Sequence, residues 1–216
     1  MKPLPIVVLI SGGGSNLQAI IDAIEQQHLP VEIRAVISNC ADAYGLQRAR
    51  NHGIETRVID HREFADRERF DQALQQAIDS YAPELVVLAG FMRILTPGFV
   101  AHYQGHLFNI HPSLLPDYRG LHTHRRALEA NDTRHGASVH FVTGELDGGP
   151  VVIQAEVPVL PDDTPETLAA RVLVQEHKIY PQAIRWFAEG RLRLDNEKPY
   201  LDGKLLERPT QWDGSR

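Results

Sequence analysis

The stretch 107–116, Leu-Phe-Asn-Ile-His-Pro-Ser-Leu-Leu-Pro, combines residue types that suit acyl-transfer chemistry. Asn109 and His111 lie two residues apart in a strand-like run, so their side chains share one face. An amide and an imidazole can both donate hydrogen bonds to a developing oxyanion, and the imidazole can also move a proton. The sequence has no Gly-x-Ser-x-Gly motif, and its single cysteine, Cys40, has no evident partner. We therefore expect no covalent nucleophile.

Asp147 is the natural third member of this group. It stands in the glycine-rich turn Glu-Leu-Asp-Gly-Gly-Pro, 145–150. A carboxylate there can hold the tautomer of His111 and favour its charged form. Two alternatives compete: Asp147 as a turn-forming Asp-Gly residue, and His111 as a strand-end histidine bonded to backbone. The pairing with Asn109 favours catalysis for His111, while the sequence leaves both roles of Asp147 open.

A second motif is the turn Ser-Gly-Gly-Gly-Ser-Asn, 11–16, between a predicted strand and a predicted helix. Glycines let the backbone approach an anion, and the amides at a helix start point toward it. The dinucleotide fingerprint needs a glycine where Leu17 stands, and the Gly-Lys-Ser/Thr of a nucleoside-triphosphate loop is missing. The turn predicts a site for a single phosphate monoester. A plain strand-to-helix turn is equally consistent with this segment.

The stretch 90–95, Gly-Phe-Met-Arg-Ile-Leu, follows another predicted strand. Apolar side chains around one arginine suit an aromatic ligand that carries a carboxylate. Core packing with one exposed arginine is the alternative, and the stretch alone favours it.

Four histidines, His122, His124, His135 and His140, raise the question of a metal site. His122 and His124 begin a predicted helix, where a two-residue offset places them on different faces. No carboxylate or cysteine spacing completes a ligand set, so we expect no metal.

These motifs require a sheet that brings strand ends together. In the first half, buried strands (6–10, 33–37, 54–59, 85–89 and 107–110) alternate with helical periodicity, which predicts crossover units and a parallel sheet. In the second half, strands at 138–142 and 151–159 predict an antiparallel extension, followed by a helix over 164–187. The fold expected is α/β: a single Rossmann-like domain with a mostly parallel twisted sheet flanked by helices. We assign it to 1–190, with a peripheral strand and polar tail at 191–216.

Composition narrows the function further. The chain has 216 residues and a formal net charge of −6, which leaves no general basic field for nucleic acid. The apolar stretch 4–10 is too short to span a bilayer. One cysteine suits a reducing compartment, so we expect a cytoplasmic protein without nucleic-acid or membrane partners.

Taken together, the motifs resemble the folate-dependent formyltransferases. The stretch 109–116 and Asp-Gly-Gly at 147–149 are similar to the whole group. The opening 8–17 and Gly-Leu-His at 120–122 are similar to members that act on glycinamide ribonucleotide. The resemblance runs from about residue 4 to about residue 190. It implies transfer of the formyl group of 10-formyltetrahydrofolate to the amine of glycinamide ribonucleotide in de novo purine biosynthesis.

The resemblance also implies roles for particular residues. The catalytic residues would be Asn109, His111 and Asp147. The substrate phosphate and ribose would be bound by Gly14, Ser15, Asn16 and Glu176. The folate would be bound by Arg67, Met92, Arg93, Ile94, Leu95, Val142 and Asp147. Leu173 departs from the pattern, because some members have a polar or basic residue there, near the phosphate; backbone amides would then carry more of the phosphate binding.

Two other functions are consistent with parts of the sequence. A formyltetrahydrofolate hydrolase would use the same three catalytic residues to activate water, but it has no need of a phosphate loop. A non-catalytic nucleotide-binding module would gain little from the titratable group. The sequence leaves the choice between monomer and homodimer open.

Overall fold

The computed structural model describes residues 2–214. The chain has a mixed α/β fold with a mostly parallel sheet flanked by helices, as the sequence predicts. It divides into two compact units, residues 1–109 and 110–216. None of the helices between residues 2 and 214 has the length and apolarity needed to cross a membrane.

The first unit is a parallel sheet with helices on it. Its strands are β1 (Leu4–Ile10), β2 (Val31–Ser38), β3 (Thr56–Val58), β4 (Leu85–Leu88) and β5 (Leu107–His111), the last of which runs on into the second unit. They lie in the order β3-β2-β1-β4-β5, every pair parallel. The chain order reverses between β1 and β4, and ligands of open parallel sheets bind at the carboxyl ends of such strands. The apolar runs of β1 and β4 are almost fully buried, as expected of strands covered on both faces.

The helices of the first unit are α1 (Ser15–Gln27), α2 (Tyr44–Asn51), α3 (Arg67–Asp79) and α4 (Pro97–His102), with a 3-10 turn at His61–Glu63. Helical periodicity predicts the first three. It misses α4, because six residues are too few for the 3.6-residue repeat to stand out. The start of α4 is nevertheless marked by local chemistry: Thr96 caps it by accepting the N–H of Phe99 at 3.3 Å, and Pro97 follows.

The second unit contains α5 (Thr123–Glu129), β6 (Arg134–Phe141), β7 (Val151–Pro158) and α6 (Pro165–Ala188). β6 and β7 form the predicted antiparallel hairpin. The start of α6 is fixed by a reciprocal capping box between Thr164 and Thr167.

Residues 191–214 contain four short strands, where the sequence suggests one strand and a tail. They are β8 (Leu192–Asp195), β9 (Lys198–Leu201), β10 (Lys204–Leu205) and β11 (Thr210–Gln211). β8, β9 and β10 form a separate antiparallel sheet, while β11 pairs with β7. Strands of two to four residues are at or below the length over which alternation can be recognised, so periodicity does not establish them.

Candidate functional site

The glycine turn of the first unit lies between β1 and α1. Gly14 precedes α1 in the left-handed conformation, with φ of 70°, and is buried. It has no side chain with which to cap the helix, and the first turn of α1 has no acidic residue. Gly12 and Gly13 are exposed. A helix start of this kind presents backbone N–H groups and the positive end of the helix dipole to an anion. Ser15 is half-buried and Asn16 is buried at the beginning of the helix.

A hydrogen-bond chain ties the segment after β4 to the end of β1. The Ser11 hydroxyl donates to Asn39 Oδ1 at 2.6 Å and accepts the backbone N–H of Met92 at 2.7 Å. The backbone N–H of Ser11 donates to the carbonyl of Gly90 at 3.1 Å. Asn39 is 4% exposed. This role of Asn39 is not predicted from the sequence, because a single buried asparagine after a strand belongs to no motif.

The segment Met92–Leu95 presents its apolar side chains outward. Met92 is 64% exposed and Ile94 is 55% exposed, whereas Leu95 is half-buried. Arg93 is half-buried, with its guanidinium 5.9 Å from the centroid of the Phe70 ring. This is the reverse of the core-packing alternative, which places the apolar residues inside and the arginine outside. Exposed apolar side chains beside a strand end suit a flat ligand.

The carboxylate of Asp71, on α3, accepts a hydrogen bond from the residue that directly follows this segment. It is 2% exposed, and its Oδ2 accepts the backbone N–H of Thr96 at 2.6 Å. Burial raises the pKa of Asp71, and the charges of Arg67 and Arg93 act in the opposite direction. Arg67 itself is exposed in the first turn of α3. An exposed arginine at this place is free to meet an anionic group of a ligand.

The second unit contains the histidine and the carboxylate that the sequence singles out. His111, at the end of β5, is 6% exposed. Its Nδ1 lies 3.5 Å from Asp147 Oδ2, and its Nε2 lies 2.9 Å from the carbonyl oxygen of Tyr118. A carbonyl oxygen can only accept, so Nε2 carries a proton and donates it. Both ring nitrogens therefore lie next to oxygen atoms that can accept a hydrogen bond, the Tyr118 carbonyl and the Asp147 carboxylate.

Asn109 lies on β5 two residues before His111 and is half-buried. Because strand side chains alternate, the two residues project on the same side of the strand.

Backbone geometry fixes the Asp147 carboxylate. Asp147 has a φ of 48°, a left-handed conformation in which Asp is more readily tolerated than most residues. Its Oδ2 accepts the backbone N–H of Gly120 at 2.9 Å. A Cβ on Gly149 would lie 1.9 Å from the carbonyl oxygen of Phe141, so only glycine fits there. Asp147 also lines a cavity of about 360 Å³ with Gly148, Pro150 and the C-terminal residues Pro199 and Leu206.

His140 is a second buried histidine beside this carboxylate, with Nε2 3.8 Å from Asp147 Oδ1. Its Nδ1 donates to the carbonyl of Phe141 at 2.9 Å. Burial lowers the pKa of His140 to about 4, against the opposing attraction of Asp147. His140 is therefore neutral at neutral pH, and of these two histidines only His111 is available to balance the carboxylate.

The loop from His111 to Gly120 is held by buried polar side chains of the hairpin. Ser138 donates to the carbonyl of Ser113 at 2.7 Å and accepts the N–H of Leu115 at 3.0 Å. Gln154 donates to the carbonyl of Leu115 at 2.8 Å and to Ser138 at 2.9 Å. These contacts set the path of the loop and thereby the position of the Tyr118 carbonyl. Neither Ser138 nor Gln154 is predicted from the sequence, because buried polar groups inside strands carry no motif.

The remaining predicted residues of this unit lie on α6 and directly after β6. Glu176, on α6, is 8% exposed; burial raises the pKa of Tyr180, and the charge of Glu176 raises it further. Leu173 is half-buried one turn earlier on α6, and Val142 is half-buried after the end of β6. Glu176 is thus a buried carboxylate, and carboxylates are rarely buried in proteins unless they are paired.

The other histidines pack with each other. His135 Nε2 lies 3.1 Å from His124 Nδ1, and their rings meet edge to face. Burial lowers the pKa of His135 to about 4 and also lowers the pKa of His124. Within residues 2–214, no group of three or more His, Cys, Asp or Glu residues is arranged to hold a metal ion.

Comparison with known proteins gives a consistent result. Residues 4–184 match the protein family described as formyl transferase. The phosphoribosylglycinamide formyltransferase of Escherichia coli (strain K12) is 60% identical over 201 residues, covering 93% of this chain and 95% of that protein. The corresponding Haemophilus influenzae protein is 52% identical over the same shares. A solved structure of phosphoribosylglycinamide formyltransferase from Coxiella burnetii has a TM-score of 0.94 and 57% identity, covering 98% of this chain and 100% of that one.

Proposed function

This chain belongs to the formyl transferase family, and on that premise we propose that it moves the formyl group of 10-formyltetrahydrofolate to the amine of glycinamide ribonucleotide. The reaction is a step of de novo purine biosynthesis. Similarity to named relatives along nearly the whole chain supports this acceptor over water. The glycine turn before α1 supports it independently, since a phosphate-bearing acceptor needs an anion site and water does not.

The chemistry is direct attack by the substrate amine on the formyl carbon. A carbon–nitrogen bond to the amine forms, the formyl oxygen becomes negative, and the bond to the folate nitrogen then breaks. Asn109 and positive His111 stabilise the oxyanion. The attacking amine loses a proton and the leaving folate nitrogen gains one. Asp147 holds His111 and relays this proton through water, and alignment of the two reactants contributes as well.

Binding is divided among the other residues. Gly14, Ser15 and Asn16 bind the phosphate, and Glu176 binds the ribose. Arg67, Met92, Arg93, Ile94, Leu95, Val142 and Asp147 bind the folate. Leu173 offers no polar group, so the phosphate is bound chiefly by backbone amides. We assign the activity to residues 1–190 of a cytoplasmic protein, as a monomer or a homodimer.

The observation that carries this proposal is the buried pair of His111 and Asp147 in a chain of this family. The test is release of tetrahydrofolate from the formyl folate, with and without glycinamide ribonucleotide. We expect release only when the ribonucleotide is present, with one formylated product per turnover. Release without it would identify a hydrolase. Binding of both ligands with no release would identify a binding module, and either result would overturn the proposal.

The proposed chemistry uses no metal. We therefore expect that dialysis against a chelator leaves turnover unchanged. A loss of turnover restored by a divalent cation would contradict this part of the mechanism.

A further inference from the structure

Helix α2 contacts the glycine turn at two consecutive peptide groups. The backbone N–H of Gly45 donates to the carbonyl of Gly12 at 2.9 Å. The guanidinium of Arg48, one turn later on α2, donates from Nε to the carbonyl of Gly13 at 2.8 Å. Both carbonyls of the turn are thus directed toward α2.

The direction of these carbonyls determines where the amides of the turn point. In a trans peptide the C=O and the N–H of the same unit point in opposite directions. The N–H groups of Gly13 and Gly14 share peptide units with the bonded carbonyls of Gly12 and Gly13. They therefore point away from α2, toward the exposed side of the turn. Successive amides that point the same way form an anion-binding concavity.

Close packing makes this arrangement specific to glycine. A Cβ on Gly14 would lie 2.6 Å from Gly45 Cα, and one on Gly45 would lie 2.5 Å from Ile10 Cδ1. The near atom at Gly14 belongs to the backbone, so α2 can approach the turn only with glycine at that position; at Gly45 a side chain would require the end of the Ile10 side chain to move. The approach brings Arg48 within reach of the turn.

The Arg48 guanidinium is held on two further sides. It lies 4.9 Å from the centroid of the Tyr44 ring, and its Nη1 donates to Gln18 Oε1 at 3.4 Å. Arg48 is half-buried, and these contacts together with the bond to Gly13 fix the direction of its guanidinium. The first turn of α1 contains no basic residue. The guanidinium of Arg48 therefore supplies a positive charge directly beside the glycine turn.

We propose that Arg48 is a positioning residue for the phosphate site, which orients the amides of the glycine turn and gives the protein its preference for a phosphorylated acceptor. The inference rests on the proposed function and extends it to a helix that no motif marks. Arg48 acts through the Gly13 peptide group and through its charge. It has no part in the formyl-transfer step itself.

The test compares two acceptors, glycinamide ribonucleotide and glycinamide riboside, which lacks the phosphate. Arg48→Met keeps the length of the side chain and removes the donor and the charge. We expect its KM for the ribonucleotide to rise roughly tenfold, the size of effect typical of one charge-assisted hydrogen bond. The kcat, the KM for the formyl folate and the kcat/KM for the riboside should stay close to wild type. The preference for the ribonucleotide over the riboside should fall by the same factor.

Two further variants separate positioning from folding. Arg48→Lys keeps the charge without the planar donor and should be intermediate. Arg50→Met removes an exposed arginine of the same helix, which donates to Thr56 Oγ1 at 3.1 Å, and should retain the wild-type preference. Thermal unfolding of each variant checks the fold. If Arg48→Met does not fold, the decision rests on whether the Arg48→Lys preference falls below wild type.

The outcomes distinguish this inference from the proposed function. A wild-type protein with no ribonucleotide-dependent release, or with no preference for the phosphorylated acceptor, would refute the proposed function or its phosphate site. A wild-type protein with that preference, unchanged in a folded Arg48 variant, would overturn the role of Arg48 alone. An equal loss toward both acceptors would also overturn it, because a general structural defect does not depend on the phosphate.

Discussion

At the scale of single residues, the proposed chemistry depends on the surroundings of the His111 ring. His111 has an acceptor at each ring nitrogen, the Tyr118 carbonyl and the Asp147 carboxylate. Neighbouring His140 is kept neutral by burial, which lowers its pKa to about 4. Asp147 thus balances His111 without competition from a second imidazolium. A positive ring near a developing oxyanion stabilises it more than a neutral one does, particularly in a buried site.

The first prediction concerns the charge of Asp147. Asp147→Asn keeps the shape of the side chain but removes the charge that favours protonated His111. We expect kcat to fall by about a hundredfold or more, the typical contribution of a group engaged in acid–base catalysis. Steady-state kinetics measures the change. Glu156→Gln, which breaks an exposed pair with Arg134, is the control and should retain kcat. An Asp147→Asn enzyme within a factor of a few of wild type would refute this role.

The second prediction concerns the amide of Asn109. Asn109→Ala removes a donor to the oxyanion without altering the His111–Asp147 pair. Loss of one such donor typically lowers turnover by roughly a hundred- to a thousandfold. We expect kcat to fall by this amount, with the KM for both substrates changed much less. A large rise in KM at nearly constant kcat would instead indicate a binding role.

The sequence predicts only some of the groups that form the candidate site. Side-chain types and spacing identify Asn109 and His111, because strand alternation is a strict local rule. The Tyr118 carbonyl and the Gly120 amide were not predicted. They are backbone groups, so residue type does not mark them, and their direction depends on the path of a whole loop. Tyr118 adopts a φ of 54°, a conformation that its identity does not suggest.

At the scale of elements, the hairpin of β6 and β7 holds the loop that follows β5. Ser138 and Gln154 are 0% and 8% exposed and bond to backbone groups of Ser113 and Leu115. Buried polar groups of this kind are costly when unpaired, so each bond constrains the loop strongly. Such residues are invisible to a search for motifs, because they act on backbone atoms.

The third prediction tests this support. Gln154→Ala leaves the Leu115 carbonyl without its side-chain donor. We expect the free energy of unfolding to fall by about 1–3 kcal/mol, the typical result of leaving a buried polar group unsatisfied. Denaturant unfolding measures it, and kcat should fall in the same variant because the Tyr118 carbonyl is less firmly held. Gln47→Ala, which removes an exposed glutamine of α2, provides the comparison and should change neither quantity.

The fourth prediction concerns the start of α6. Asp163 accepts hydrogen bonds from Arg171 at 2.7 and 2.8 Å, and these bonds hold its pKa well below its ordinary value of 3.8. The ionised carboxyl therefore contributes stability that is complete above about pH 4 and is lost as the pH falls below that value. Asp163→Asn should lower the melting temperature more at pH 7 than near pH 2, where part of the contribution of the ionised carboxyl is already lost. An equal decrease at both pH values would show that the charge is not responsible.

At the scale of the whole molecule, the α/β alternation was predictable and the division of the chain was not. Strand and helix periods differ in the first half, so the order of elements follows from the sequence. The break between the two units falls between Asn109 and Ile110, inside β5. A break within an apolar strand has no change of composition and no Pro- or Gly-rich linker, which are the signals that a sequence offers.

Stability in acid is a property of the whole molecule, and two buried histidines of the second unit determine part of it. Burial lowers the pKa of His135 and of His140 to about 4, from an ordinary value of 6.5. Below pH 6.5 the unfolded chain gains protons at these positions and the folded chain does not. The stability of the folded state therefore decreases as the pH falls from 6.5 toward 4, by about 1.4 kcal/mol per pH unit for each fully neutral histidine.

The fifth prediction tests the contribution of His135 alone to this loss of stability in acid. His135→Gln cannot be protonated, so its unfolding free energy should depend less steeply on pH between 6.5 and 4 than that of the wild-type protein. Denaturant unfolding across this window measures the two slopes. His28→Asn replaces an exposed histidine in a left-handed conformation that Asn tolerates, and should retain the wild-type slope. If His135→Gln also retains that slope, His135 is protonated in the folded protein, and the acid dependence arises elsewhere.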